Sequence, residues 1–410
     1  MKNLKLIIIL TLMIQLSAKA QNPIEEILNN NPDLFKSVLE DPNHKEVQII
    51  YTQINRDKHQ KPHFKTYSYQ LDAKHYFYPA STVKLPTAIF ALEKLNELKI
   101  KGLDKSSTML TDSAFLGQTK VTKDSTAKNG LPSIANYIKK ILLVSDNDAF
   151  NRLYEFTDRR TINQKLKDYG FKNSRIINRL SIGDAGESTR HTNPIDFYNG
   201  EELVYRKPRA YDANDYPMNL NNLIRGKAYL NSEDKLINEP FNFTGKNVFA
   251  LADQQELMKR LFFPEAFPKS KRFDLNADDY QLLYQYMSMY PTDSKKPNYT
   301  RPDYFPAYCK FLFYGADPQA EINPDIKIFN KVGDSYGYTI DNSYLVDQKN
   351  GVEFFLAAVI QSNNNEIYND NHYEYKEICF PFLKNLGRSI YEFELKRRKK
   401  YSPDLLKWFK

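Results

Sequence analysis

The chain has 410 residues, 41% of them hydrophobic and 26% charged, and a net charge of +8. That composition is globular, with length for one large domain or two ordinary ones, and it excludes a disordered or low-complexity protein. Three lysines of the leader (Lys2, Lys5, Lys19) and a net +6 in residues 396–410 account for the excess, so the body is close to neutral. It offers no basic stripe for nucleic acid.

In chain order, the basic start is followed by an apolar run over residues 6–16 and by Ala18-Lys19-Ala20. This is the pattern of a secretory signal peptide over residues 1–20, cut near Ala20/Gln21, and it predicts a periplasmic or secreted protein. The leader is short for a membrane span, and no later run reaches about 18 apolar residues, so no integral membrane segment is expected after its removal. Cys309 and Cys379 are the only cysteines. They do not amount to a disulfide framework, and whether they pair is left open. Six histidines without an HExxH or Cys/His cluster argue for no metal site.

Residues 47–55 and 64–71, rich in Ile, Tyr and Thr, predict a hairpin. From Ser81, apolar residues at helical spacing predict a buried helix, with Pro86 early in it where its missing N–H costs least. Further helices are expected over 134–144, 149–156, 253–263, 277–289 and 375–393. Residues 199–246 are polar and aromatic without a period and read as an insertion. Residues 326–332, 337–347 and 352–361 are strand-like, and residues 396–410 read as a basic, solvated tail. Strands at both chain ends with helices between them predict a mixed α+β fold. One antiparallel sheet is built from both ends and flanked by helices, with an all-helical lobe and a cleft between them, in a single domain over 21–395.

Three short motifs carry chemistry. Ser81-Thr82-Val83-Lys84 puts a hydroxyl and an amine three residues apart at a helix start, where they share a face. A serine hydroxyl needs such a base to attack, and the amine can serve when burial and nearby positive charge keep it neutral. The tetrapeptide alone is weak evidence, because Ser125-Thr126-Ala127-Lys128 and Ser232-Glu233-Asp234-Lys235 repeat its pattern in polar, loop-like surroundings. Ser145-Asp146-Asn147 falls at a break between two helices, and Lys331-Val332-Gly333 closes a strand-like run. A glycine there admits a ligand's backbone, and the lysine supplies positive charge.

In this order the three motifs resemble the Ser-x-x-Lys, Ser-Asp-Asn and Lys-Thr-Gly set of class A β-lactamases and penicillin-binding enzymes. Arg190-His191-Thr192-Asn193-Pro194 is similar to the segment after that family's omega loop, and Lys331 to Asn342 with the strand after it is similar to its closing strands. The resemblance implies a β-lactamase/transpeptidase-like fold and a serine hydrolase that needs no cofactor and acts on cyclic amide C–N bonds. Its catalytic residues would be Ser81 as nucleophile, Lys84 as proton shuttle and Ser145 as relay to the leaving nitrogen. Asn147, Lys331, Gly333, Asp334 (through its backbone) and Ser335 would bind substrate, and the N–H groups of Ser81 and Asp334 would form the oxyanion hole. The partner implied is a small β-lactam or a peptidoglycan peptide.

Two departures qualify this. Val332 stands where the family has Thr, which removes a hydroxyl for the substrate carboxylate; Ser335 or Thr339 is the expected substitute. No Glu-x-x-Leu-Asn pattern supplies a deacylating base between 175 and 187. The matching position falls near Ser181 or Ile177, which leaves Glu187 and Asp184 as the nearest carboxylates. The expectation is opening of β-lactams through a Ser81 acyl-enzyme. The alternatives are a D-Ala-D-Ala peptidase or transpeptidase relative with slow deacylation, or a non-catalytic cell-wall binding protein of the same fold.

Overall fold

The structure is a computed structural model that describes residues 22–41, 45–182 and 186–409. The signal-peptide reading and Asp184 lie outside the described residues. At the centre is a five-stranded antiparallel sheet made of β1 (Gln48–Arg56), β2 (Pro62–Tyr69), β3 (Ile326–Ser335), β4 (Tyr338–Asp347) and β5 (Val352–Gln361), in the order β3-β4-β5-β1-β2. Strands from opposite chain ends meet at the β5–β1 pair, with Ile50 opposite Ala357. This is the α+β arrangement expected from the sequence.

Both faces of the sheet are covered, and β5 carries apolar residues at all but Glu353 and Gln361. Ile326, Ile328 and Val332 of β3 and Phe354, Leu356 and Ala358 of β5 join one core. Phe329, Phe355, Ala357 and Val359, offset by one residue, join the other. Successive side chains point to opposite faces, so a period of two serves two cores at once. The first face is covered by α1 (Pro23–Asn30), α2 (Pro32–Leu39) and α9 (Phe380–Lys396). The other face meets the lobe built from α3 (Lys84–Leu98), α4 (Ile134–Val144), α5 (Asn147–Thr157), α6 (Arg159–Tyr169), α7 (Leu251–Phe262) and α8 (Ala277–Ser288). Among the described residues no helix is long and apolar enough to cross a membrane.

Residues 199–246 carry several short strands, among them Glu202–Lys207, which pairs with Ile195–Asn199. Strands of two or three residues are too short to show a hydrophobic period. The C-terminal segment departs from the solvated tail expected of it. After α9 the chain folds back, and Leu405 and Trp408 are 3% and 6% exposed. The Trp408 indole packs 5.0 Å from Tyr284 and 5.1 Å from Phe329 of β3. The charge run 396–400 masks these two anchors in the sequence, although Leu405 and Trp408 are the segment's means of docking. Trp408→Ala should therefore cost about 3–5 kcal/mol, the usual range for emptying a buried aromatic site, read as a lowered denaturant midpoint. An unchanged midpoint would restore the solvated-tail reading.

Candidate active site

Ser81 sits in a 3-10 turn, Ala80–Val83, directly before α3. Thr82 fastens the turn by donating its N–H (3.1 Å) and its hydroxyl (2.6 Å) to the Pro79 carbonyl. Residues three apart eclipse in this geometry, so Ser81 and Lys84 share a side of the chain. Ala80 holds a left-handed φ of 47°, a conformation unfavourable for a residue with a Cβ, and strain of this kind collects at functional positions.

Gly333 of β3 lies against the turn. A Cβ there would stand 2.7 Å from the Ser81 nitrogen and 3.1 Å from both Ala80 Cβ and the Pro79 carbonyl oxygen. The glycine allows the strand to approach the Ser81 amide. Asp334 follows it, paired with Thr339 across β4.

Lys84 is completely buried. Its ammonium donates to the Ser145 carbonyl, to Ser145 Oγ (3.3 Å) and to Asn147 Oδ1 (2.6 Å). These oxygens favour the charged form. Burial opposes them, with the Lys331 charge second, and together they push the Lys84 pKa well below the ordinary lysine range. Lys331 is buried as well, and burial lowers it to about 8. Its Nζ donates to Ser145 Oγ (2.8 Å) and to the Val332 carbonyl (2.7 Å).

Ser145 thus accepts from both lysines, which leaves its own O–H free to donate outward. It ends α4 in a left-handed conformation (φ 60°), a turn that aims the hydroxyl between the two amines. Asp146 does not enter this hydrogen-bond set. It caps α5, accepting from the Ala149 N–H (2.8 Å). The Asn147 amide then donates to Ser181 Oγ at 2.9 Å.

The structure therefore brings Ser81, Lys84, Ser145, Asn147, Lys331, Gly333 and Asp334 together. Ser335 lines the cleft beside Ser81. Thr339 does not substitute for the missing hydroxyl of Val332, because it is wholly buried next to the Cys379 thiol. Glu187 is not at the site. It pairs with His191 (3.3 Å) and Arg190 (3.7 Å) and lines neither cavity beside Ser81. The look-alike Ser125 and Ser232 sit in surface turns, and Lys235 pairs with Glu233 at 2.7 Å. Cys309 and Cys379 are both buried free thiols.

Two cavities flank Ser81. The smaller, about 290 Å³, is lined by Asn147, Ser181, Ser335 and Tyr336. The larger, about 1230 Å³, opens past Ser145 and Val332 toward α9. Its far wall is the segment around Tyr304 and Tyr308, which aperiodic Tyr, Phe and Pro made unreadable in the sequence. Asp334 borders both cavities.

Residues 35–238 match the profile of the "Beta-lactamase enzyme family", a span that includes Ser81, Lys84, Ser145 and Asn147. This chain carries a β-lactamase-family domain. The profile stops short of β3, so the placement of Lys331 and Gly333 rests on the geometry above. Solved structures that overlap this β-lactamase-family chain include PBP-A, at 15% identity over 89% of this chain and 96% of that one, with a TM-score of 0.48. A β-lactamase from Xanthomonas campestris pv. campestris overlaps at 11% identity over 90% and 98%, with a TM-score of 0.48. One from Francisella tularensis overlaps at 14% identity over 90% and 99%, also with 0.48. Scores below 0.5 at these identities carry no functional argument. A search of the curated proteins returns no match.

The two lysines set an expected pH profile. Were Ser81 acylated with Lys84 as its base, the neutral amine would have to take the Ser81 proton, and acylation would rise with pH as Lys84 deprotonates. It would fall again above about 8 as Lys331 loses its charge. Lys331→Ala removes the second-largest push on Lys84 and should move the ascending limb of kcat/KM to higher pH. An ascending limb that stays in place would contradict the coupling.

Proposed function

We propose that this protein is an exported penicillin-binding acyl-serine enzyme: Ser81 opens β-lactam or peptide amides, and the resulting ester is hydrolysed slowly. The observation that carries the reading is the Ser145 hydroxyl, which accepts from Lys84 and Lys331 at once. With both amines donating to it, its proton is available to the leaving nitrogen, as amide cleavage requires. Lys84 takes the Ser81 proton, and the N–H groups of Ser81 and Asp334 face the carbonyl oxygen that becomes negative. A non-catalytic binding protein would have no use for two amines with depressed pKa values converging on one hydroxyl.

The slow second step follows from Ser181. It stands beside Asn147, where the sequence comparison sought a carboxylate, and a hydroxyl is a far weaker base for water. This favours the peptidase or transpeptidase alternative over efficient lactam hydrolysis. The test is to mix mature protein with a fluorescent penicillin and a chromogenic cephalosporin. Stable labelling of Ser81 with little turnover is expected. Rapid turnover would show an efficient lactamase, and neither signal would refute acyl transfer. Ser181→Glu should speed release of the label by about 10²-fold or more, the lower end of the roughly 10²–10⁴ that a placed base contributes.

A further inference from the structure

We infer that the larger cavity is a subsite for an extended, acidic leaving group, so that the natural scissile bond is an internal amide of an acidic peptide. This rests on the acyl-serine reading above and specifies its substrate class.

Ser145, the relay to the leaving nitrogen, lines the larger cavity and is absent from the smaller one. The leaving group therefore departs into the larger space. At about 1230 Å³ that space exceeds the roughly 300–1,000 Å³ of sites for small molecules. A fused-ring lactam leaves much of it unfilled.

The near end is poorly built for a carboxylate next to the scissile bond. Val332 offers methyl groups there, and Asp334 presents a cleft-exposed carboxyl with no hydrogen-bond or ion-pair partner among the described residues. A terminal carboxylate placed beside it still has the Lys331 ammonium near, but it lacks a hydroxyl at Val332 and meets the Asp334 carboxyl, whereas the uncharged amide of a continuing chain needs neither group. Farther along, Tyr304, Tyr308 and Phe311 form an aromatic wall, and α9 with the turn before it contributes Lys376, Lys384 and Arg388. Lys384 pairs with Asp317 at 2.9 Å. Lys376 is exposed and has no acidic partner among the described residues, and Arg388, also exposed, donates to the Phe313 carbonyl (3.1 Å) and reaches Asp317 only through its charge. The weakened carboxylate site at the near end and the cations at the far end together favour a leaving chain whose acidic groups lie several residues beyond the cut.

The test uses donors that share one acyl-D-Ala portion. One has D-alanine as leaving group, one a four-residue chain ending in two glutamates, and one the same chain with glutamines. The expected order in kcat/KM is acidic chain, then neutral chain, then D-alanine, with at least tenfold between the first and last. Lys376→Ala with Arg388→Ala should bring the acidic chain down to the neutral one and leave penicillin labelling unchanged; Lys376→Ala alone should give part of that loss. Equal rates for all donors, or an equal loss on all of them in the double variant, overturns the inference while acyl transfer stands. Penicillin labelling without cleavage of any donor does the same. Absence of both labelling and cleavage overturns acyl transfer and this inference with it.

Discussion

Ser81→Ala should abolish both penicillin labelling and amide turnover, with a loss approaching ~10⁶ in kcat, the scale on which removal of a serine nucleophile registers. The effect is that large because nothing nearby replaces the hydroxyl. Ser145 Oγ is held between two amines, and Ser181 Oγ is held by Asn147. Mass spectrometry of intact protein after penicillin treatment gives the direct reading, an adduct in the parent and none in the variant. Ser125→Ala serves as the control and should label normally, because Ser125 is an exposed turn residue. An adduct persisting on Ser81→Ala would move the nucleophile elsewhere and remove the reason for the lysine pair.

Gly333→Ala is expected to reduce acylation by about 10²–10³, the range seen when one oxyanion-hole donor is lost. The added methyl would lie 2.7 Å from the Ser81 nitrogen, closer than real Cβ contacts come, and it would also meet the Pro79 carbonyl oxygen and the Ala80 Cβ at 3.1 Å. Either β3 withdraws or the turn shifts, and in both cases the proposed oxyanion hole of the Ser81 and Asp334 N–H groups is disturbed. Overpacking of this kind costs about 1–3 kcal/mol, so folding should survive and the defect should appear in the acylation rate. Normal acylation with unchanged stability would show that the strand does not press on the nucleophile.

Long periodic elements were readable in the sequence because burial enforces their period. The helix at 134–144 matches residue for residue, and all five sheet strands fall within three residues of expectation at either end. The three motifs converge because each marks the end of such an element. What escaped is what has no period. α1 and α2 are eight residues each, too short to show more than two turns of a pattern. The aromatic wall at 304–311 takes its shape from packing against α9, a partner remote in sequence. Among the described residues of 175–187, the position beside Asn147 is held by Ser181, and Glu187 is taken by His191 and Arg190. Residue type and spacing revealed the acylating half of the site. Which side chain faces water in the second half depends on a loop path that no local rule fixes.

The joining of β1 to β5 also orders events during synthesis. The strand carrying Gly333 leaves the ribosome some 250 residues after Ser81, and Trp408, which packs on that strand's Phe329, comes some 75 residues after Gly333. A chain released before β3 carries Ser81, Lys84 and Ser145 without Lys331 and Gly333. Such fragments should be chemically silent toward penicillin, so labelling reports only chains extended past β3.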